Sequence, residues 1–196
     1  MRWKIWYSLP NNKNFCFTSR SCTSSIGLMA VKQFYPERIP DHPVIDGQGH
    51  RLNDYVVGED LPDGCAVMIR NPVERFISLL WRMNISPEKA FCWLYWFHGL
   101  GNKPEHIDRH DLEYCGGTSW YHLTPVTHLI NEKSKLFLFP DVAGMANYLE
   151  IKTPIEKINS SITTEKITLT PEQEDKVRQI YCDDMILLQE LENRGY

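Results

Sequence analysis

Two short segments of the chain gather residue types that hold anions. The first is Arg70-Asn71-Pro72-Val73-Glu74-Arg75-Phe76-Ile77-Ser78. The apolar run before it, Cys65–Ile69 (CAVMI), reads as a buried strand. Asn71 followed by proline reads as the N-cap and first position of a helix. Arg70 then ends the strand, and its guanidinium emerges where the helix begins. Ser78 lies about two turns along that helix, so its hydroxyl and the Arg70 guanidinium can meet at one anion. The plainer alternative is an amphipathic helix whose Arg and Ser are merely solvated. The order of residue types favours the anion site. The second segment is Ser19-Arg20-Ser21-Cys22-Thr23-Ser24-Ser25, between a strand and a helix. Successive N–H groups at a helix start, with hydroxyls and one cation, suit a phosphate or sulfate. An ordinary Ser-rich turn with a helix cap accounts for the same residues. The segment is not a Walker A loop, because G-x-x-x-x-G-K-[ST] is absent.

The elements that must position these segments follow from pattern and punctuation. The opening MRWKIWYSLPNNKN reads as a short strand and turn, and Asn14–Thr18 (NFCFT) as a buried strand. A helix follows the Ser-rich turn through about Phe34. Residues Tyr35–Gly64, rich in Pro, Gly, Asp and His, read as loop with one short strand near Val44. The helix from Pro72 carries an apolar stripe of Val73, Phe76, Ile77, Leu80 and Met83. Ser86-Pro87-Glu88 opens another, carrying Phe91, Trp93, Leu94, Tyr95, Trp96 and Phe97. Four aromatics in the five residues Trp93–Phe97 cannot share one helix face, so core packing is preferred there over stacking on a sugar. Gly99–Trp120 reads as irregular. Leu136–Phe139 is a further strand, and Asp141 caps a helix through about Leu149. Thr170-Pro171-Glu172-Gln173 is a capping box. It opens one helix with Val177, Ile180, Tyr181, Met185, Leu188 and Leu191 on one face. Strands alternating with helices predict a single α/β domain over residues 1–196, with a parallel sheet flanked by helices on both faces. Ligands of such sheets sit at the carboxyl ends of the strands, where both anion segments fall.

Composition narrows the function classes. Apolar residues make up 42% of the 196 residues, enough for a core and against disorder. The net charge of −4 disfavours a general nucleic-acid binder. A small anionic ligand remains compatible, since a few converging Arg side chains and N–H groups suffice. The N-terminus lacks a long apolar run and a cleavage site, and no stretch reaches the roughly 18 apolar residues of a membrane span. The expectation is a soluble, cytoplasmic protein with no membrane partner. The six scattered cysteines, Cys16, Cys22, Cys65, Cys92, Cys115 and Cys182, form no CxxC pair. They read as reduced, mostly buried thiols, and no metal site is expected.

The Arg70 segment resembles the 3′-phosphate-binding motif of sulfotransferases that use 3′-phosphoadenosine 5′-phosphosulfate (PAPS), R-x-P-x-x-R-x-x-S, with every fixed position filled. The resemblance implies that Arg70 and Ser78 bind the 3′-phosphate and that Arg75 supports the site. S-R-S-C-T-S-S is similar to the family's 5′-phosphosulfate loop, P-K-x-G-[ST]-T. In that register Arg20 stands where the family has Lys, Cys22 where it has Gly, and Thr23 and Ser24 where it has its hydroxyls. Arg for Lys keeps the charge and changes its geometry. Cys for Gly removes the residue best suited to φ > 0 or close backbone approach. His122-Leu123-Thr124-Pro125 resembles the H-x-x-P segment of the carbohydrate-sulfotransferase branch. Leu136–Leu149 resembles its late strand and helix. Asn159-Ser160-Ser161, then Tyr181 and Asp184, resemble its C-terminal end. The likeness spans most of the chain from Phe15 onward and implies a trimmed member with a P-loop-like sheet.

The implied reaction is an in-line transfer of a sulfuryl group from PAPS to an acceptor hydroxyl, a carbohydrate being one candidate, with 3′,5′-adenosine bisphosphate (PAP) as product. Such a step asks for positioning, charge stabilisation and a base. The resemblance puts Arg20 near the leaving phosphate, within a cofactor loop of Arg20, Ser21, Cys22, Thr23, Ser24 and Ser25. It puts the base between the two phosphate motifs, which makes His50 and then His42 the candidates. Glu59 and Asp60 are the carboxylate alternatives, and a solvated loop histidine is the plain reading of either His. Three rivals stay open: a non-catalytic PAP or PAPS binder, a P-loop-like nucleotide kinase, and a scaffold protein.

Overall fold

The computed structural model describes residues 4–16, 18, 23–38, 55–102, 123–154 and 167–195. It is an α/β fold on a five-stranded mixed sheet. Strand β1 (Lys4–Ser8) turns back into β2 (Asn14–Cys16). The turn is closed by Leu9 N–H donating to Lys13 O at 2.8 Å and Asn12 N–H to Leu9 O at 2.9 Å. Asn12 sits at φ 62°, a left-handed position that asparagine tolerates. A connection this short makes β1 and β2 antiparallel, with Trp6 opposite Cys16. Strand β3 (Tyr55–Gly58) also pairs antiparallel with β1. Only β2, β4 (Ala66–Ile69) and β5 (Lys135–Leu138) form the parallel set expected throughout. The all-parallel expectation fails because a tight turn, and not a helix, joins the first two strands. The sheet order is β3-β1-β2-β4-β5. Since β1 alone runs the other way, the carboxyl ends of the four remaining strands lie along one edge. β3 falls in a stretch expected to be loop, and the strand expected near Val44 lies outside the described residues.

Strand alternation divides the core. Phe15, Ala66, Met68 and Phe137 face α1 (Thr23–Phe34), through Ile26, Met29, Ala30 and Val31, and α4 (Val142–Tyr148), through Met145 and Ala146. Cys16, Val67 and Ile69 face the other side, where Val126 and Leu129 of the turn around Val126–His128 meet Leu188 and Leu191 of α6 (Cys182–Asn193). β4 is buried along its whole length, as a central parallel strand must be. A separate helical cluster joins α2 (Pro72–Met83), α3 (Pro87–Phe97) and α5 (Pro171–Ile180) through Val73, Phe76, Leu80, Phe91, Leu94 and Val177.

The caps read from sequence are in place. Asn71, Ser86 and Asp141 each accept an N–H of the first turn of their helix, and Thr170 and Gln173 form the reciprocal capping box. The C-terminal helix expected as one piece is two, broken at Tyr181 (φ −104°, ψ 33°). In the aromatic run of α3, Trp93 and Leu94 are buried and Tyr95 to His98 half-buried, so packing is its main role. Among the described residues no helix is long and apolar enough to cross a membrane.

Candidate functional site

Arg70 follows the last residue of β4, and Asn71 starts the next helix by accepting Val73 N–H at 2.9 Å. The β4–β5 ladder continues one residue further, with Phe139 N–H donating to Ile69 O at 2.7 Å. That bond brings Phe139 beside Arg70. The guanidinium carbon stands 4.6 Å from the Phe139 ring centroid, a cation–π arrangement. Arg70 Nε donates to Glu74 Oε2 at 3.3 Å, a pair in which the arginine side chain is 20% exposed and the glutamate 57%. Ser78, half-buried, lies one helical turn beyond Glu74 on the same ridge of α2. The junction and the first two turns of α2 therefore carry a cation, a carboxylate and a hydroxyl in that order along the chain. A partly exposed pair of this kind contributes about 0–1 kcal/mol.

Arg75 faces the other way. Its Nη2 donates to Asp184 Oδ2 at 3.0 Å, with the two side chains 5% and 1% exposed. Asp184 also accepts the amides of Val126 and Thr127, at 2.9 Å each, and the Thr127 hydroxyl at 2.8 Å. Arg75 lies over the Tyr181 ring at 4.9 Å. Tyr181 in turn donates its hydroxyl to Leu123 O at 2.8 Å, and His98 Nε2 lies 3.3 Å from the same carbonyl. Burial pushes the Tyr181 hydroxyl well above the usual phenol range, with Arg75 opposing. So the second arginine of the motif ties α2 to α6 and to the turn after Leu123, which is support through the fold.

The second anion segment is described in part. Thr23 and Ser24 are the first two residues of α1, and Ser25, which follows them, is buried. Arg20, Ser21 and Cys22 lie outside the described residues, as do His50, His42, His122 and Asn159–Ser161. β2 neighbours β4, with Phe15 opposite Ala66. The chain leaving β2 for α1 thus departs from the strand next to β4, roughly 4.8 Å to its side. Glu59 and Asp60 follow β3 at the same sheet edge, three strand positions from β4, or roughly 14 Å. Both are exposed, and Asp60 accepts Lys4 Nζ at 2.9 Å.

The topology therefore brings Arg70 and the chain leaving β2 to one end of the sheet. Sequence reasoning did not find Phe139 or the contact of Glu74 with Arg70. The spacing of Glu74, four residues after Arg70, is the signal that was there to read; Phe139 has none. Among the four described cysteines, Cys16 and Cys65 are buried and Cys92 and Cys182 exposed, fewer buried than expected. Burial pushes the Cys65 thiol up to about 12 and the Cys16 thiol up as well. No protein-family model, curated protein or solved structure matches the chain.

Proposed function

We propose that the chain binds 3′-phosphoadenosine nucleotides at the carboxyl edge of its sheet and transfers a sulfuryl group from PAPS to an acceptor hydroxyl. The reading rests on one observation above the others. R-N-P-V-E-R-F-I-S straddles the junction of β4 and α2, with its first arginine at the junction beside Glu74, its serine half-buried on α2 and its second arginine locked inside. The donor set fits the group: a guanidinium held at the sheet edge, a hydroxyl two turns on, and a capped helix start beside them.

PAPS supplies the activated sulfuryl group, and the protein's part is to hold and orient. In this reading Arg70 and Ser78 grip the 3′-phosphate. The loop of Arg20, Ser21 and Cys22, with Thr23, Ser24 and Ser25 at the helix start, takes the 5′ end. Arg20 balances charge at the leaving phosphate, and His50, with His42 as the alternative, accepts the acceptor proton. The sheet belongs to the P-loop-like type in the same reading, and a carbohydrate is the first acceptor class to screen.

Thermal melting with PAP and with ATP tests the proposal. ATP lacks the 3′-phosphate that Arg70 and Ser78 would read. At about 100-fold excess over the dissociation constant, PAP should stabilise the fold by about 2.7 kcal/mol, and ATP by much less. Equal shifts refute the assignment. Sulfate transfer to an acceptor panel then separates an enzyme from a binder.

A further inference from the structure

We infer that Phe139 is a positioning residue of the anion site, holding the plane of the Arg70 guanidinium for an incoming phosphate or sulfate ester. The inference rests on the anion-site reading of Arg70. Phe139 belongs to neither anion segment, and it reaches Arg70 from the neighbouring strand β5. Its ring has little freedom. Phe139 N–H donates to Ile69 O, and Asp141 N–H closes the next turn on Leu138 O at 2.7 Å. The ring is half-buried and packs against the cluster built on Phe137 and Met145. The guanidinium 4.6 Å from its centroid is thus held by a fixed surface.

Glu74 constrains a second side by taking Nε. With one face on Phe139 and the Nε edge on Glu74, the terminal nitrogens form the edge suited to two parallel bonds with an oxyanion. An unconstrained arginine loses much rotamer freedom on binding. One already held by a ring and a carboxylate loses less, so preorganisation raises affinity without a new contact to the ligand. Phe139 acts through Arg70 and need not touch the nucleotide.

The experiment compares the full chain with Phe139→Leu and Phe139→Tyr. Leucine removes the ring face and keeps an apolar side chain, whereas tyrosine keeps the ring. PAP affinity is read by titration calorimetry, and the rate of Arg70 modification by phenylglyoxal by peptide mass mapping. Phe139→Leu should weaken PAP binding by about 2- to 5-fold, the range of a partly exposed cation–π contact. Its Arg70 should react faster. Phe139→Tyr, which keeps the ring, should restore both readings. Should Phe139→Leu fail to fold, Phe139→Met carries the same comparison. Unchanged affinity and unchanged modification in the ringless variant overturn the inference, as does a tyrosine variant no better than leucine. A wild-type chain that does not bind PAP defeats the nucleotide reading instead, and the modification rates still decide whether Phe139 holds Arg70.

Discussion

Asp184→Ala removes one acceptor from four donors at once: Arg75 Nη2, the amides of Val126 and Thr127, and the Thr127 hydroxyl. With the two charged side chains 5% and 1% exposed, water cannot take the place of the carboxylate. Breaking a buried pair by removing one member costs about 3–5 kcal/mol. That is a large share of the roughly 5–15 kcal/mol that holds a domain together. The two partners are not equivalent. Arg75→Met leaves Asp184 with three donors, so its charge stays solvated by protein dipoles. Asp184→Ala leaves a guanidinium over the Tyr181 ring with no carboxylate, and two amides without an acceptor. Arg75→Met should therefore cost less, about 1–3 kcal/mol. Urea unfolding followed by tryptophan fluorescence and circular dichroism measures both. A cost below about 1 kcal/mol for Asp184→Ala, or a larger cost for Arg75→Met than for Asp184→Ala, refutes the account of the pair as a lock on α2.

Three further outcomes are expected. Arg70→Ala should weaken PAP binding more than Ser78→Ala, since charge-assisted bonds contribute about 1.5–3 kcal/mol and neutral ones about 0.5–1.5; wild-type affinity in Arg70→Ala removes the proposed site. His50→Ala should lower turnover about 100-fold with little change in PAP affinity; near-normal turnover moves the role of base to His42 or Glu59, and joint loss of binding and turnover makes His50 a support of its loop. The thiols give a pH dependence with a definite sign. Cys65, raised to about 12, and Cys16, raised as well, keep their protons in the folded chain while unfolded thiols ionise near pH 8.5. Their contribution is complete below that pH and is lost as pH rises from about 9 toward 12, by about 1.4 kcal/mol per pH unit for each thiol. A melting temperature that stays level from pH 8 to 10 in the wild type, or falls equally in Cys65→Ala, contradicts the burial argument.

What the sequence revealed follows the range of the interactions involved. Caps act within one turn, so Asn71, Ser86, Asp141 and Thr170 were readable from their neighbours. The buried strand Ala66–Ile69 announced itself as an apolar run. Strand β3 did not, because Tyr55-Val56-Val57-Gly58 is short and lies at the sheet edge with Val56 and Val57 exposed, leaving no alternation to detect. The break at Tyr181 is invisible for a different reason. Val177, Tyr181, Asp184, Leu188 and Leu191 keep a helical spacing of four, three, four and three across it, so the pattern of buried positions never falters.

The Arg70 segment shows the same limit within one motif. Glu74 and Ser78 share a ridge of α2 because they are four residues apart, and Arg70, just before the Asn71 cap, reaches Glu74 from the strand end. Arg75 is one residue off that ridge, and its position on the helix turns it toward the core. A lone arginine there would be an expensive buried charge. It is tolerated because Asp184, 109 residues away in sequence, meets it with an oxygen already held by backbone amides. The side chains that would hold the anion were therefore readable locally, and those that hold them in place were not. Asp184 and Phe139 come from elements that only the folded sheet brings to α2. Their loss should be felt differently. Removing Asp184 should cost stability first and binding as a consequence. Removing the Phe139 ring should cost binding while the core around Phe137 and Met145 keeps its remaining contacts.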